Sequence, residues 1–173
     1  MYNYRAELLF TDTGSWFYNI ETEDFYKDMY DNKEAYDLSD LLVKYNDNTS
    51  KKVIGKFKPE HAMDVITEFI GLRSKMYSVQ FETLYYSGNE DEKKTAKGVI
   101  KSVIKNDLKH ETYKNILETS GKLYSKMKVI RSGKHELHTI EMNKVSLSAY
   151  DDKRWIKDDG ISGYAYGNYR ILE

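Results

Sequence analysis

The segment "LLFTDTGSWF", Leu8 to Phe17, places an aspartate in a short polar turn between two apolar runs. A carboxylate held at such a turn can do two kinds of chemistry. It can share a proton with a second aspartate and activate water, or it can join other carboxylates in holding hard cations for nucleotidyl transfer. Both need partners, so the question becomes what accompanies Asp12. Two other features bear on it. Lys75 and Tyr77 stand two residues apart in "GLRSKMYSV", a spacing that on a strand sends both side chains to one face. Further on, Lys93, Lys94, Lys97, Lys101, Lys105, Arg131 and Lys134 belong to a stretch from 93 to 134 with twelve basic residues and three acidic ones, a net +9.

The chain as a whole carries only −1, because residues 1–50 hold four basic against eleven acidic residues, a net −7. Such segregation points to a polyanionic partner for the middle of the chain, with solvated helix faces as the plain alternative. The length, 173 residues, suits one domain or a compact domain with an appendage and is enough to bury a core. There is no cysteine, so disulfides and thiolate metal sites are excluded, and an intracellular location is expected. The longest apolar runs are a few residues, which predicts no membrane span. Met1–Arg5 does not open a signal peptide, since no apolar stretch follows it. A single proline and 16 tyrosines argue against a disordered chain.

The elements that must position these residues read as α+β, with antiparallel hairpins first and a small helical and hairpin unit after them. Ala6–Phe10 and Trp16–Ile20 predict two strands around the turn at 11–15, and Glu21–Tyr30 predicts a helix capped by Thr22. Residues 37–52 read as a polar loop and Lys52–Lys58 as a strand. Met63–Ile70 and Lys75–Leu84 predict a hairpin turning at 71–74, with a helix over Pro59–Ile70 as the alternative. Ser87–Glu92 reads as a loop and divides the chain into 1–86 and 87–173. Short helices are expected over Val99–Lys105, opened by Gly98, and around Tyr113, Ile116 and Leu117. Strands bent at 132–134 follow from Lys122 to Ser148, and the glycine- and tyrosine-rich tail is expected to be loop.

Asp12-Thr13-Gly14-Ser15 resembles the active-site tetrapeptide of aspartic proteases. That chemistry needs a second copy of the motif or a symmetric dimer. The sequence holds no second copy, Val53-Ile54-Gly55 is a weak match to the element behind such a loop, and a peptidase leaves the +9 segment unexplained.

A second resemblance covers more residues. Phe10-Thr11-Asp12-Thr13-Gly14-Ser15 resembles the Tyr-x-Asp-Thr-Asp-Ser motif of family B DNA polymerases, with Gly14 where the second aspartate belongs. Lys75-Met76-Tyr77 resembles their Lys-x-Tyr motif. Segments including "NIETEDFYKDMY", "KKVIGKFKPE", "KKTAKGVIKSVIKNDLKHETYKNIL" and "DDGISGYAYGNY" extend the likeness, over nearly the whole chain, to the C-terminal part of protein-primed polymerases of Maverick/Polinton-type elements and related viruses. The resemblance implies a partial palm over 1–86 and a basic thumb-like unit over 87–173. It implies that Lys75 and Tyr77 steady the primer, and that Lys93, Lys94, Lys97, Lys101, Lys105, Arg131 and Lys134 grip DNA phosphates without reading sequence. Mg²⁺ serves the intact family enzyme. For this chain no cofactor is expected, because Gly14 removes a ligand that Asp12 does not replace, and the other palm aspartate lies in a part this sequence does not match. The expected partners are primer-template DNA and the missing polymerase portion, with no membrane. A freestanding, non-catalytic nucleic-acid-binding protein of the same origin is the alternative.

The remaining candidates carry less. His135 and His138 would face opposite sides of a strand, Asp151-Asp152 and Asp158-Asp159 read as caps and turns around a partly buried Trp155, and the tyrosines read as packed rings with surface hydroxyls.

Overall fold

The apolar runs beside Asp12 pair with each other. In a computed structural model, which describes residues 5–12, 14–62, 64–83, 90–150, 154–160 and 162–171, β1 (Ala6–Asp12) and β2 (Ser15–Ile20) form an antiparallel hairpin. Asp12 sits opposite Ser15 at its closed end, and a register shift interrupts the pairing between Leu8 and Phe10. Phe10 and Phe17 turn toward Phe69, their ring centroids 5.5 and 4.6 Å from it.

A helix, α1 (Phe25–Asp31), follows where the spacing predicted one. Its cap is Asp24 rather than Thr22: the Lys27 backbone N–H donates to the Asp24 carboxylate at 3.0 Å, while the Thr22 hydroxyl bonds Asp28. Met29, on its buried face, joins Leu38, Leu41, Tyr45 and Ala62 in one core. Residues 32–62 wrap this core without a regular strand. The strand expected over 52–58 does not form, because Lys52 and Gly55 both adopt left-handed backbone angles (φ 59° and 90°) that an extended chain does not allow. Only Phe57 keeps a strand-like link, to Tyr36. The segment is organised instead by buried Asp37, whose carboxylate accepts from the Ser39 and Lys52 backbone N–H groups, each at 3.0 Å. Those bonds, with the Ser39 side chain foremost, lower its pKa to about 2.

Next comes a three-stranded sheet in the order β3 (Asp64–Arg73), β4 (Met76–Thr83), β5 (Glu90–Ala96). The expected hairpin is there, turning at Ser74-Lys75 rather than 71–74, and the helical alternative over 59–70 is not. Part of the expected loop at 87–92 lies outside the described residues, and the rest opens β5.

Two short helices follow, α2 (Lys101–Asn106) and α3 (His110–Thr119), close to the expected positions. Tyr113 and Ile116, three apart on α3, are buried, and Ser120 in a left-handed conformation ends the helix with its N–H on the Ile116 and Leu117 carbonyls. Tyr113, Ile116, Leu108, Ile70, Leu72, Met76, Ala96 and Leu147 form a second core. The Tyr113 hydroxyl donates to the Thr95 carbonyl at 3.2 Å, which satisfies the one polar atom this ring carries inward. A long antiparallel ribbon, β6 (Lys122–Gly133) and β7 (Glu136–Ser148), turns at Lys134-His135. The tail holds a small hairpin where loop was expected, β8 (Arg154–Ile156) with β9 (Gly163–Ala165). Asp159 does serve a turn there, accepting from the Ser162 backbone N–H, whereas Trp155 is half exposed. Asp151 and Asp152 lie outside the described residues.

The fold is thus α+β, with antiparallel sheets. Two compact bodies divide it: residues 1–69 with 79–93, and residues 70–78 with 94–173. Among the described residues no helix is long and apolar enough to cross a membrane.

Candidate nucleic-acid interface

The Asp12 turn is built from the first body alone. Across the closed end of the β1–β2 hairpin, the Ser15 hydroxyl donates to Glu60 Oε1 at 2.7 Å, and Lys93 Nζ donates to Glu60 Oε2, also at 2.7 Å. The Lys93 ammonium and then the Ser15 hydroxyl hold the Glu60 carboxyl below its ordinary range. Both oxygens of this neighbouring carboxylate are therefore engaged by donors. Among the described residues no three acidic or histidine side chains converge on a point that could hold a cation. This donor set does not fit a two-metal centre, which needs several carboxylate oxygens free to face the ions. Gly14 is exposed, and a Cβ built on it meets nothing within 4 Å, so crowding does not explain the glycine.

Lys75 and Tyr77 do not project from one strand face. Lys75 occupies the β3–β4 turn in a left-handed conformation (φ 60°), and Tyr77 is buried, 8% exposed. The tight turn takes Lys75 out of the strand's alternation, so the i, i+2 rule has no purchase on the pair. What Lys75 does is meet the next turn: its carbonyl accepts the Lys97 backbone N–H at 3.0 Å.

That second turn, residues 97–98, feeds α2. Gly98 has φ +87°, so a side chain would meet backbone strain, and its Cβ, 3.0 Å from Lys144 Nζ, would displace that ammonium. Lys144 Nζ donates to the Gly98 carbonyl at 2.9 Å and ties the ribbon to the start of the helix. Lys101 and Lys105, four apart on α2, are exposed on one helix face, as is Lys97 just before it. The second body thus gathers Lys75, Lys97, Lys101, Lys105 and Lys144 around two adjoining turns and one helix. Lys144 was not singled out by sequence; it sits past the lysine-rich stretch, and only the pairing of β7 brings it back.

Chain and solved-structure comparisons give no neighbours to set beside this geometry. No protein-family model, no curated protein and no solved structure matches the chain.

The other predicted cations separate. Lys93 belongs to the first body, on Glu60, and Lys94 reaches the Leu108 carbonyl at 2.6 Å within the second. Arg131 and Lys134 are exposed at the far end of the β6–β7 ribbon, Arg131 paired in register with His138. Twelve register pairs give the ribbon a length of roughly 40 Å. Its outward face carries Tyr124, Lys126, Lys128, Ile130 and Leu137, all exposed; the opposite face buries Met127. His135 lies in the turn and His138 on the strand, so the two rings do not share a strand face.

Proposed function

We propose that this chain binds nucleic acid through its sugar–phosphate backbone, as the duplex-gripping end of a protein-primed family B DNA polymerase, and that it has no nucleotidyl-transfer activity alone. The observation that carries the binding half is the gathering of exposed Lys97, Lys101 and Lys105 on one turn and one helix face of the second body, beside Lys75 and Lys144. Ammonium groups so arranged suit phosphates spaced along a strand, and none of them reads a base. The polymerase half rests on the motif likeness around Asp12. The buried position of Tyr77 lends it no support. Gly14, together with a Glu60 already engaged by Ser15 and Lys93, is the reason to expect no chemistry.

Duplex DNA titrated at several salt concentrations tests the binding half. Affinity should be measurable at low salt and fall linearly on logarithmic axes, with a slope near −0.9 per phosphate contact. A flat salt response, or no affinity at low salt, rules out a backbone clamp. The polymerase half is tested separately by primer extension with Mg²⁺ after supplying an upstream palm in trans or as a fusion, comparing the natural Gly14 with Gly14→Asp. Extension restored only by Gly14→Asp supports it. No extension from either, with DNA binding intact, favours the freestanding binding protein.

A further inference from the structure

From 130 to 139 every residue of the β6–β7 ribbon is exposed, on both faces. Elsewhere along the ribbon the faces differ. On one, Met127 is buried and Lys144 reaches the Gly98 carbonyl, so that side is turned toward the rest of the second body. On the other, Lys126, Lys128, Ile130 and Ser132 of β6 alternate along the strand, and all are exposed. Their register partners on β7, in the same order, are Asn143, Glu141, Thr139 and Leu137, exposed as well. This face therefore runs uncovered for roughly 20 Å.

A solvated strand face needs only polar side chains, yet Ile130 and Leu137 are 73% and 77% exposed and are diagonal neighbours on it. Lys126 and Lys128, on the same face, favour a polyanion. Asn143 and Thr139 carry donors and acceptors that a lipid interior would leave unsatisfied. Cations, an amide, a hydroxyl, a carboxylate and apolar groups on one narrow surface are the set that reads base edges in the DNA major groove. There an asparagine amide takes adenine by two hydrogen bonds, a lysine takes guanine, a carboxylate takes cytosine, and apolar groups meet the thymine methyl. The groove is about 12 Å wide and admits a two-stranded ribbon, whose strong twist lets it follow the groove's turn. The corresponding groove of A-form RNA is too deep and narrow.

We propose that the exposed face of the β6–β7 ribbon lies in the major groove of duplex DNA and contacts base edges, with Asn143 on adenine and Ile130 and Leu137 on thymine methyl groups. At 3.4 Å per base pair, the uncovered stretch reaches about six base pairs. Arg131 and Lys134, exposed at the tip, serve the phosphates at the groove's rim. The class of partner rests on the nucleic-acid reading above. The base contacts go beyond it, because they make binding sequence-selective where a backbone grip is not.

The test selects binding sites for the full chain from a pool of duplexes randomised at their centre, then compares the enriched duplex with a scrambled one of the same composition. Asn143→Ala should remove about ten-fold of the natural protein's preference, the scale of one bidentate base contact, and leave the scrambled duplex unchanged. Replacing thymine by uracil in the enriched duplex should weaken the natural protein about four-fold, the scale of one buried methyl. A variant carrying both Ile130→Ala and Leu137→Ala should bind the thymine and uracil duplexes alike. Lys101→Glu, by contrast, should weaken the enriched and scrambled duplexes by the same factor, and circular dichroism checks that each variant is folded. Duplex binding with no enriched sequence, or a preference that the ribbon variants leave unchanged, overturns the proposal while the backbone reading stands. Equal losses on both duplexes in Asn143→Ala, or equal binding of thymine and uracil by the natural protein, overturn it as well. If no duplex binds at low salt, the nucleic-acid reading itself falls and takes the base contacts with it. Binding to phosphatidylserine vesicles that Ile130→Asp abolishes, with no preference among duplexes, makes the face a membrane surface and overturns the proposal.

Discussion

The two bodies of this chain are built from similar materials and carry opposite charge. Residues 1–69 with 79–93 hold 9 basic against 18 acidic side chains, a net −9; residues 70–78 with 94–173 hold 18 against 10, a net +8. Each has its own aromatic-containing core, around Met29, Leu38 and Tyr45 in one and Tyr113, Leu108 and Leu147 in the other. In the acidic body, charged groups are turned to holding structure: Asp24 caps a helix and accepts from Tyr45, Asp37 ties a loop, and Glu60 bridges Ser15 and Lys93. In the basic body the lysines are mostly exposed, Lys97, Lys101 and Lys105 among them. A concentration of exposed like charges is the stronger sign of a binding surface, and the acidic body offers no such concentration of cations.

The sharpest break between the two should come from their cores. Tyr113 is fully buried with its hydroxyl on Thr95, so Tyr113→Ala is expected to cost about 3–5 kcal/mol by leaving a cavity and an unpaired carbonyl. Met29→Ala should cost about 2–5 kcal/mol. Hydrogen exchange distinguishes the sites of damage. Tyr113→Ala should reduce amide protection most in α3 and Met29→Ala most in α1. The reverse pattern would mean the cores are wrongly drawn.

Charge reversal tests function rather than folding. Lys97, Lys101 and Lys105 changed together to Glu should weaken duplex DNA more than about 100-fold near 0.1 M salt and flatten the salt slope by about three contacts. The matching change in the acidic body, Lys33, Lys51 and Lys52 to Glu, should leave affinity within about two-fold. If both triple variants bind equally poorly, net charge alone governs binding and the lysine surface is not a site.

How much of this was legible in the sequence follows from which forces act locally. The β1–β2 hairpin, α1, α2, α3 and the β6–β7 ribbon are written in apolar periodicity, and the sequence reading finds them. The misses are tertiary. β5, "EDEKKTA", has no alternating apolar face because it is the edge strand of its sheet, where charged residues guard an exposed backbone. The apparent alternation at 52–58 is undone by two left-handed residues, Lys52 and Gly55, of which only the glycine announces itself. The thumb-like lysines were visible as a run, but a run does not say which of them converge. Lys144 joins them through strand pairing, and Lys93 and Lys94 leave for Glu60 and the Leu108 carbonyl.

A smaller, pH-dependent difference follows from Asp37. Its pKa in the folded chain is lowered to about 2, against about 3.9 for an unfolded aspartate. The ionised form is therefore the one that folding favours. Its contribution is fully present above about pH 4 and is lost as pH falls through about 2. Asp37→Asn should destabilise the acidic body by about 1–3 kcal/mol at neutral pH, through loss of bonds to the Ser39 and Lys52 backbone, and should flatten its stability between pH 4 and 2. Acid unfolding followed by circular dichroism reads both effects. An unchanged acid limb would show that Asp37 is not the group that titrates.

The least disruptive change is the most informative about the turn where the chain's chemistry would lie. The missing side chain of Gly14 would point into open space, so crowding does not keep a glycine there. Gly14→Asp should then alter stability by no more than about 0.5 kcal/mol, the new carboxylate being solvated and its repulsion with Asp12 screened. Denaturant unfolding measures this directly. A cost of several kcal/mol would make the glycine a structural requirement of the hairpin and remove the ground for treating it as a lost metal ligand. A neutral result leaves the position free to carry a carboxylate. Glu60 would still be engaged by Ser15 and Lys93, so restoring a metal site at this turn requires freeing it as well. Gly14→Asp combined with Lys93→Ala is accordingly expected to bind Mg²⁺ more tightly than Gly14→Asp alone, as isothermal titration can test. Equal affinity would place any added ligand elsewhere than Glu60.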